Sequence, residues 1–159
     1  MNSIVLFYSF TGRTHYEAKR VAEAIHAELY EVREQRRRSL VSAYLFGAHQ
    51  ARKRSYIVIE PLAVSLEEYD RIILMSPVWG GCPAPAFNAM VRELPAGREV
   101  EIYLTSDSGT ARDLDALKKR VEQMGVTVTD IGVIKTEDLK KRDRKRMKRM
   151  KEREADDRE

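Results

Sequence analysis

Three hydroxyl side chains surround one glycine near the start of the chain. Ser9, Thr11 and Thr14 flank Gly12 directly after an apolar run, and a helical pattern of apolar residues follows at once. At the carboxyl edge of an open parallel sheet, such a loop meets the unpaired N-terminal amides of the next helix. The amides, the helix dipole and the hydroxyls favour a terminal phosphate, and Gly12 permits close backbone approach. The alternative is that Thr11 only caps the helix.

The loop differs from the two common nucleotide-binding loops and from other catalytic motifs. It lacks the lysine of GxxxxGK[ST] and the glycines of GxGxxG. His15, His26 and His49 are scattered without metal-ligand spacing, so we assign neither a metal site nor a catalytic residue. Cys82 is expected to be a small buried cysteine, with a reactive thiol as the alternative.

Two further loops follow predicted strands and are expected at the same sheet edge. After "RIILM" comes "SPVWGGCPAP", and after "VEIYL" comes the short polar "TSDSG". Trp79 is followed by two glycines that offer it no packing partner, which suits a flat ring lying against an aromatic ligand. The alternative is a hydrophobic plug.

The elements that must position these loops alternate along the chain. Apolar patterns predict strands at 3–9, 28–33, 71–76, 100–105 and 126–134, and an extended segment at 56–62 that ends at a proline. Between them, helical spacing marks helices within 12–29, 41–48, 87–94 and 114–124, the last with Gly125 as its C-cap. Five strands with helices between them, without an internal repeat, indicate a parallel α/β sheet.

Composition divides the chain into a neutral body and a charged tail. Residues 135–159 hold twelve basic and eight acidic residues, which leaves seventeen of each in residues 1–134. The tail has a thin apolar stripe, so a solvated or frayed helix is favoured over a surface for an acidic partner. Nucleic acid is disfavoured because the body is neutral and the tail holds no aromatic residue for base stacking.

The expected compartment is the cytoplasm. The single Cys82 cannot form an internal disulfide, as in proteins of reducing compartments. The apolar start at 4–8 is short and lacks a basic leader, and no run approaches the ~20 residues of a membrane span.

Three motifs together resemble the flavodoxin family. They are S-x-T-G-x-T at 9–14, "SPVWGG" at 76–81 and "TSDSG" at 105–109, and the alternation of elements matches over residues 1–134. The resemblance implies a single three-layer α/β/α domain, a five-stranded parallel sheet in the order 2-1-3-4-5, and non-covalent FMN. The residues 135–159 then form a separate, charged helical tail.

The resemblance also implies a role for each loop. The first would bind the FMN phosphate, with its hydroxyls and the amides of 10–14. Trp79 would stack on the isoalloxazine, Gly80 or Gly81 would turn a carbonyl toward flavin N5, and 105–109 would border the pyrimidine. The complete predicted cofactor-binding set is Ser9, Phe10, Thr11, Gly12, Arg13, Thr14, Pro77, Val78, Trp79, Gly80, Gly81, Thr105, Ser106, Asp107, Ser108 and Gly109.

Departures from the family pattern leave the exact role open. Arg13 adds a charge beside the phosphate loop, where it either faces solvent or tightens phosphate binding. The third loop has Asp107 and no aromatic residue, which leaves one flavin face open, and Asp107 either acts on the ring electrostatically or bonds its own loop amides. The neutral body also differs from the acidic surface of typical electron carriers.

The resemblance as a whole predicts a carrier that transfers one electron at a time through the flavin semiquinone to redox partner proteins. The first alternative is an FMN-dependent reductase that uses NAD(P)H to reduce quinones or similar acceptors. The second is an interaction module of the same fold without flavin, whose basic tail docks an acidic partner. The sequence leaves monomer and homodimer equally open.

Overall fold

The first strand, β1 (Ser3–Phe7), is apolar after Ser3 because both of its faces are buried. In the computed structural model, which describes residues 1–53, 57–136 and 141, Ile4 and Leu6 enter one core. Val5 and Phe7 enter a second core on the opposite face of the sheet. A strand covered on both faces is typical of a central position in a parallel sheet.

Strands and helices alternate along the described residues. The further strands are β2 (Glu28–Glu31), β3 (Arg71–Trp79), β4 (Cys82–Pro83), β5 (Glu99–Ser106) and β6 (Thr127–Lys135). The helices are α1 (Arg13–Ile25), α2 (Leu40–Arg52), α3 (Pro85–Arg92) and α4 (Leu114–Glu122), with a 3₁₀ turn at Leu66–Glu68. Each predicted strand and helix is present, with ends that differ by a few residues.

The main sheet has the order β2-β1-β3-β5-β6, and all of these strands are parallel. This confirms the predicted five-stranded parallel sheet and the order 2-1-3-4-5, since β5 and β6 are its fourth and fifth strands. The sequence did not predict β4, a two-residue strand that pairs antiparallel with the end of β3.

Helices cover the two faces of the sheet, as predicted for three layers. On one face, Ala18 and Ala22 of α1 pack with the core that contains Val5 and Phe7. On the other face, α3 and α4 contribute Phe87 and Val121, among others, to the larger core. Small alanines on α1 allow this helix to lie close to β1 and β3.

The strand β3 continues past Pro77, where the sequence predicted that it would stop. Tyr8 donates a backbone hydrogen bond to the Met75 carbonyl at 3.0 Å, and the paired residues of β1 end at Phe7, opposite Met75. Pro77 therefore lies beyond the end of its neighbour on that side, so the missing N–H costs no ladder hydrogen bond. The extension carries the chain out to Trp79 and β4.

Two predicted segments fall partly or wholly outside the described residues. The extended segment at 56–62 is described from residue 57, and it forms an isolated bridge between Glu34 and Ile59. The tail lies outside the described residues after 136, apart from 141, and the division into 1–134 and 135–159 stays a prediction. Over the described residues, no helix combines the length and the apolar character needed to cross a bilayer.

The burial of β3 gives a first prediction for stability. Leu74 is fully buried, so we expect Leu74→Ala to lower the free energy of unfolding by about 2–5 kcal/mol through lost transfer energy and the cavity left behind. Urea denaturation measures the change. Val58→Ala, at an exposed position, is the control and should change stability by less than about 0.5 kcal/mol. Equal losses in the two variants would contradict the position of Leu74 in the core.

Candidate functional site

The loop between β1 and α1 has the features of an anion site. Gly12 is the N-cap of α1 with a φ of 91°, and no side chain caps the first amides of the helix. The first turn contains no acidic residue. The loop is held by the Ser9 hydroxyl, which accepts from the Gly12 amide at 3.1 Å. Thr11, the alternative cap, makes no capping bond and stays exposed. The free amides and helix dipole are therefore left to favour a negative group.

A buried pair of hydroxyls joins this loop to the loop that follows β5. Thr14 Oγ1 and Thr105 Oγ1 lie 2.7 Å apart, and both residues are almost completely buried. Each hydroxyl thus has its hydrogen-bond partner in the other, which avoids the cost of an unpaired buried polar group. The pair fixes the spacing between two predicted ligand loops.

An ion pair also links the two loops. Arg13 donates to the Asp107 carboxylate, and the Thr136 hydroxyl donates to the same carboxylate oxygen at 3.0 Å. The hydrogen bond from Arg13 holds the pKa of the Asp107 carboxyl below its ordinary value, and Thr136 acts in the same direction. The sequence analysis predicted neither partner. It expected Arg13 to face solvent or the phosphate, and Asp107 to act on the flavin ring or to bond its own loop amides.

Trp79 lies at the end of β3 and is surrounded by side chains from distant parts of the chain. Its ring makes edge contacts with Tyr8 and Phe10, with centroids 6.1 and 5.8 Å apart. The Arg38 guanidinium lies 5.5 Å from the ring centroid. A Cβ on Gly47 of α2 would come within 2.9 Å of the ring. Gly80 and Gly81, which follow Trp79 in the sequence, offer its ring no packing contact. Residues of α2 and of the segment before it make those contacts instead.

Arg38 belongs to a buried ion pair beside Trp79. Its Nε lies 2.8 Å from the Glu34 carboxylate, and the two side chains are only 8% and 6% exposed. Arg38 also donates to Gln50 of α2. Burial, followed by the Glu34 charge, raises the pKa of the Tyr8 hydroxyl. This cluster fixes the chain that leads into α2 against the flank of Trp79.

The turn after Trp79 places two glycines with positive φ, Gly80 at 60° and Gly81 at 87°. Both carbonyls have protein partners, because Arg52 Nε donates to Gly80 O at 3.2 Å and the Arg112 amide donates to Gly81 O at 2.7 Å. Cys82, which the sequence predicted to be buried, is only half-buried. The reason is that β4 pairs with β3 alone and lies off the main sheet.

One cavity of about 390 Å³ collects most of the predicted site residues, within the range of about 300–1,000 Å³ for small-molecule sites. It lies between the three loops at the carboxyl ends of β1, β3 and β5. Its lining consists of Phe10, Thr11, Arg13, Thr14, Pro77, Val78, Trp79, Thr105, Ser106, Asp107, Ser108 and Thr136. Of the predicted set, Ser9, Gly12, Gly80, Gly81 and Gly109 are not part of the lining.

Several residues at the site were absent from the predicted set, among them Thr136, Gly47 and Arg38. Thr136 follows β6, so the rule that located the other loops, applied to the last strand, would have found it. Gly47 left a weaker signal, an isolated glycine inside a helical pattern, which often marks close packing. Nothing in the sequence distinguishes Arg38 from its neighbours Arg36 and Arg37.

Comparison with solved structures identifies the fold. A flavoprotein of Lactobacillus acidophilus, solved in complex with FMN, is 22% identical with a TM-score of 0.70, covering 83% of this chain and 92% of that one. Flavodoxin 1 of Bacillus cereus is 20% identical with a TM-score of 0.51, covering 87% and 88%. A flavodoxin from the Archaea is 14% identical with a TM-score of 0.53, covering 85% of each chain. No family model and no curated protein sequence matches. The chain therefore has the flavodoxin-like fold.

The hydroxyl pair between the loops gives a second prediction. Thr14→Val and Thr105→Val each leave one buried hydroxyl without its partner, so each should lower the free energy of unfolding by about 1–3 kcal/mol. The double variant removes both hydroxyls and should cost clearly less than the sum of the two. A double-mutant cycle from urea denaturation measures this coupling. Strict additivity would contradict the pairing.

The ion pair gives a third prediction, in which Arg13→Gln raises the pKa of the Asp107 carboxyl toward its ordinary value. Because the folded-state pKa is lowered, the pairing stabilises the protein above the ordinary pKa of about 4, and this is lost as the pH falls through the lowered value. Carboxyl NMR titration measures the shift. Arg20→Gln, whose partner is Glu17, is the control and should leave Asp107 unchanged. An unchanged Asp107 in Arg13→Gln would contradict the link.

Proposed function

We propose that the chain binds FMN in the cavity between the three loops and transfers electrons through it. The observation that carries this proposal is the coincidence, in one cavity, of an uncapped helix N-terminus, a tryptophan and a polar loop. An anionic phosphate and a flat aromatic ring are the two chemical features of FMN that such a set of groups fits.

The residues present suit the phosphate end of FMN. The N-terminal amides of α1 are not capped by a side chain, and the Thr11 hydroxyl is exposed and lines the cavity. The positive charge of Arg13 is already paired with Asp107, so the loop offers mostly neutral donors to the phosphate. Neutral donors and a helix dipole are sufficient to hold a phosphate group.

The ring would lie against Trp79 and be bordered by 105–108. Trp79 is held by Phe10, Tyr8 and Gly47, so its plane is fixed before a ligand arrives. A rigid aromatic surface loses little entropy on binding, which favours affinity. When bound, FMN supplies reversible one- and two-electron chemistry, and the chain contributes binding and orientation.

A reductase that transfers electrons from NAD(P)H to quinone-type acceptors is the second candidate. It is favoured by the loop after β5, which lines the cavity with Ser106, Asp107 and Ser108 and places no aromatic ring there. A ring with one uncovered face would admit a second small molecule. Turnover with NADH or NADPH, and reduction by dithionite in one spectral step, would favour the reductase. Two distinct steps and slow nucleotide oxidation would favour the carrier.

The fourth prediction tests FMN and its phosphate separately. Purified protein should quench FMN fluorescence on binding and should bind riboflavin, which lacks the phosphate, less tightly. Thr11→Val should lower the affinity for FMN about tenfold, the value of one hydrogen bond to a charged group, and leave riboflavin binding unchanged. Fluorescence titration measures both ligands.

The matched control is Thr127→Val, since Thr127 is exposed at the start of β6, at the amino end of the sheet. This variant should bind FMN like the parent chain. Folded protein that binds neither FMN nor riboflavin would overturn the proposed function. Equal affinity for FMN and riboflavin would contradict phosphate binding by the first loop, but it would leave flavin binding itself in place.

A further inference from the structure

The helix α2 exposes four large apolar residues, two in its first turn and two in its second. Leu40, Val41, Leu45 and Phe46 are 75%, 67%, 60% and 55% exposed. We refer to these four residues as the outer face of α2. A surface helix normally buries such residues and exposes polar ones. An exposed cluster of large apolar side chains marks an interaction site.

The inner side of α2 explains why these residues are not in the core. Gly47 and Ala51 are buried, and a Cβ on Gly47 would clash with the Trp79 ring. Ala48 lies next to Gly80. The helix therefore packs closely through small residues, and the space beneath it is filled by Trp79. The outer face contributes nothing to that packing, so its apolar character needs another explanation.

Cationic side chains flank the outer face at both ends. Arg36 and Arg37 precede α2, Arg52 and Lys53 end it, and all four are exposed. The sequence contains no aspartate or glutamate from residue 35 to residue 59. An apolar centre between two cationic ends, without any carboxylate, is complementary to a surface that is apolar inside and anionic outside, such as the interface of an anionic bilayer.

We propose that the outer face of α2 docks on an anionic lipid bilayer. The four apolar side chains would enter the boundary between headgroups and acyl chains, and Arg36, Arg37 and Lys53 would reach the lipid phosphates. Each basic residue near an anionic surface adds to the attraction. A helix presents a convex surface, which a fluid bilayer accommodates without a preformed groove.

A second copy of the chain fits this surface less well. A two-fold contact of α2 with α2 would bring cationic ends together, and the 35–59 segment supplies no carboxylate to neutralise them. Charge complementarity therefore favours a polyanionic surface over self-association.

Docking would also bring the bilayer close to the candidate site. Arg52, at the end of α2, donates to the Gly80 carbonyl in the turn after Trp79. A bilayer on α2 would therefore be separated from this turn by the thickness of one helix, about 10 Å, and electron donors or acceptors dissolved in lipid would lie that close to the site. This consequence rests on the proposed function, whereas the docking itself does not.

The fifth prediction is tested by vesicle flotation with the full chain and without flavin. The protein should float with phosphatidylcholine vesicles that contain about 30 mol % phosphatidylglycerol, and about tenfold less with phosphatidylcholine alone. Leu45→Ser with Phe46→Ser should lower the bound fraction at least about tenfold, because two large side chains no longer enter the bilayer. Leu45→Met with Phe46→Leu keeps the face apolar and should still bind.

The charge requirement has its own matched pair of variants. Arg36→Gln with Arg37→Gln should weaken binding roughly tenfold, whereas Lys118→Gln with Lys119→Gln on α4 removes the same charge elsewhere and should not. All variants retain the basic tail, so its attraction to lipid cancels in each comparison. Circular dichroism and an unchanged Tm confirm that they are folded.

Several results would overturn the proposal. They are no flotation with anionic vesicles, equal flotation with neutral ones, or equal loss from the α2 and α4 charge variants. Self-association that Leu45→Ser with Phe46→Ser abolishes, without vesicle binding, would assign the outer face to a second copy instead. None of these results depends on whether FMN binds, so the two proposals fail separately.

Discussion

The candidate site depends on the parallel pairing of β1, β3 and β5. Phe7 lies opposite Met75, and Met75 lies opposite Tyr103, so three chain segments far apart in sequence end at one edge of the sheet. Parallel strands need long crossovers, and those crossovers supply the helices that cover the faces. The loops that leave these strand ends therefore begin next to one another. The cavity between them is thus a consequence of strand pairing before any side chain is considered.

Side-chain bonds then hold the loops in place without using up the anion site. Ser9 binds the Gly12 amide, Thr14 binds Thr105, and Arg13 binds Asp107. Each of these bonds stays within the loops, and each satisfies a group that would otherwise be buried or charged without a partner. The first amides of α1 remain without a side-chain cap. A preformed arrangement of this kind lowers the ordering cost of binding, which is the usual source of affinity in a small rigid site.

Local patterns predicted a parallel α/β sheet and the position of the loops at one of its edges, whereas the strand order was implied by the resemblance to flavodoxins. Apolar runs of the length of β1 and β3 mark buried strands, and residues after parallel strands must share an edge. The pairing of Arg13 with Asp107 could not be predicted in this way, since it joins residues 94 positions apart whose side chains each had several plausible partners. The prediction that β3 stops at Pro77 was wrong, because a proline interrupts a strand only where the neighbouring strand continues beside it. The predicted burial of Cys82 was wrong, because the two residues of β4 are too few to form a recognisable strand pattern in the sequence.

The bulk of the Trp79 side chain explains why the inner side of α2 consists of small residues. Trp79 occupies the space that the inner residues of α2 would otherwise fill, so that side is limited to glycine and alanine. Small residues bury little apolar area, and the helix gains correspondingly little from the core. Polar residues on the outer face would then be the best choice for folding and solubility. The chain has leucine, valine and phenylalanine there instead, bounded by arginines and a lysine. A feature that costs solubility and adds nothing to the core is best explained by binding, and its charge pattern selects an anionic surface.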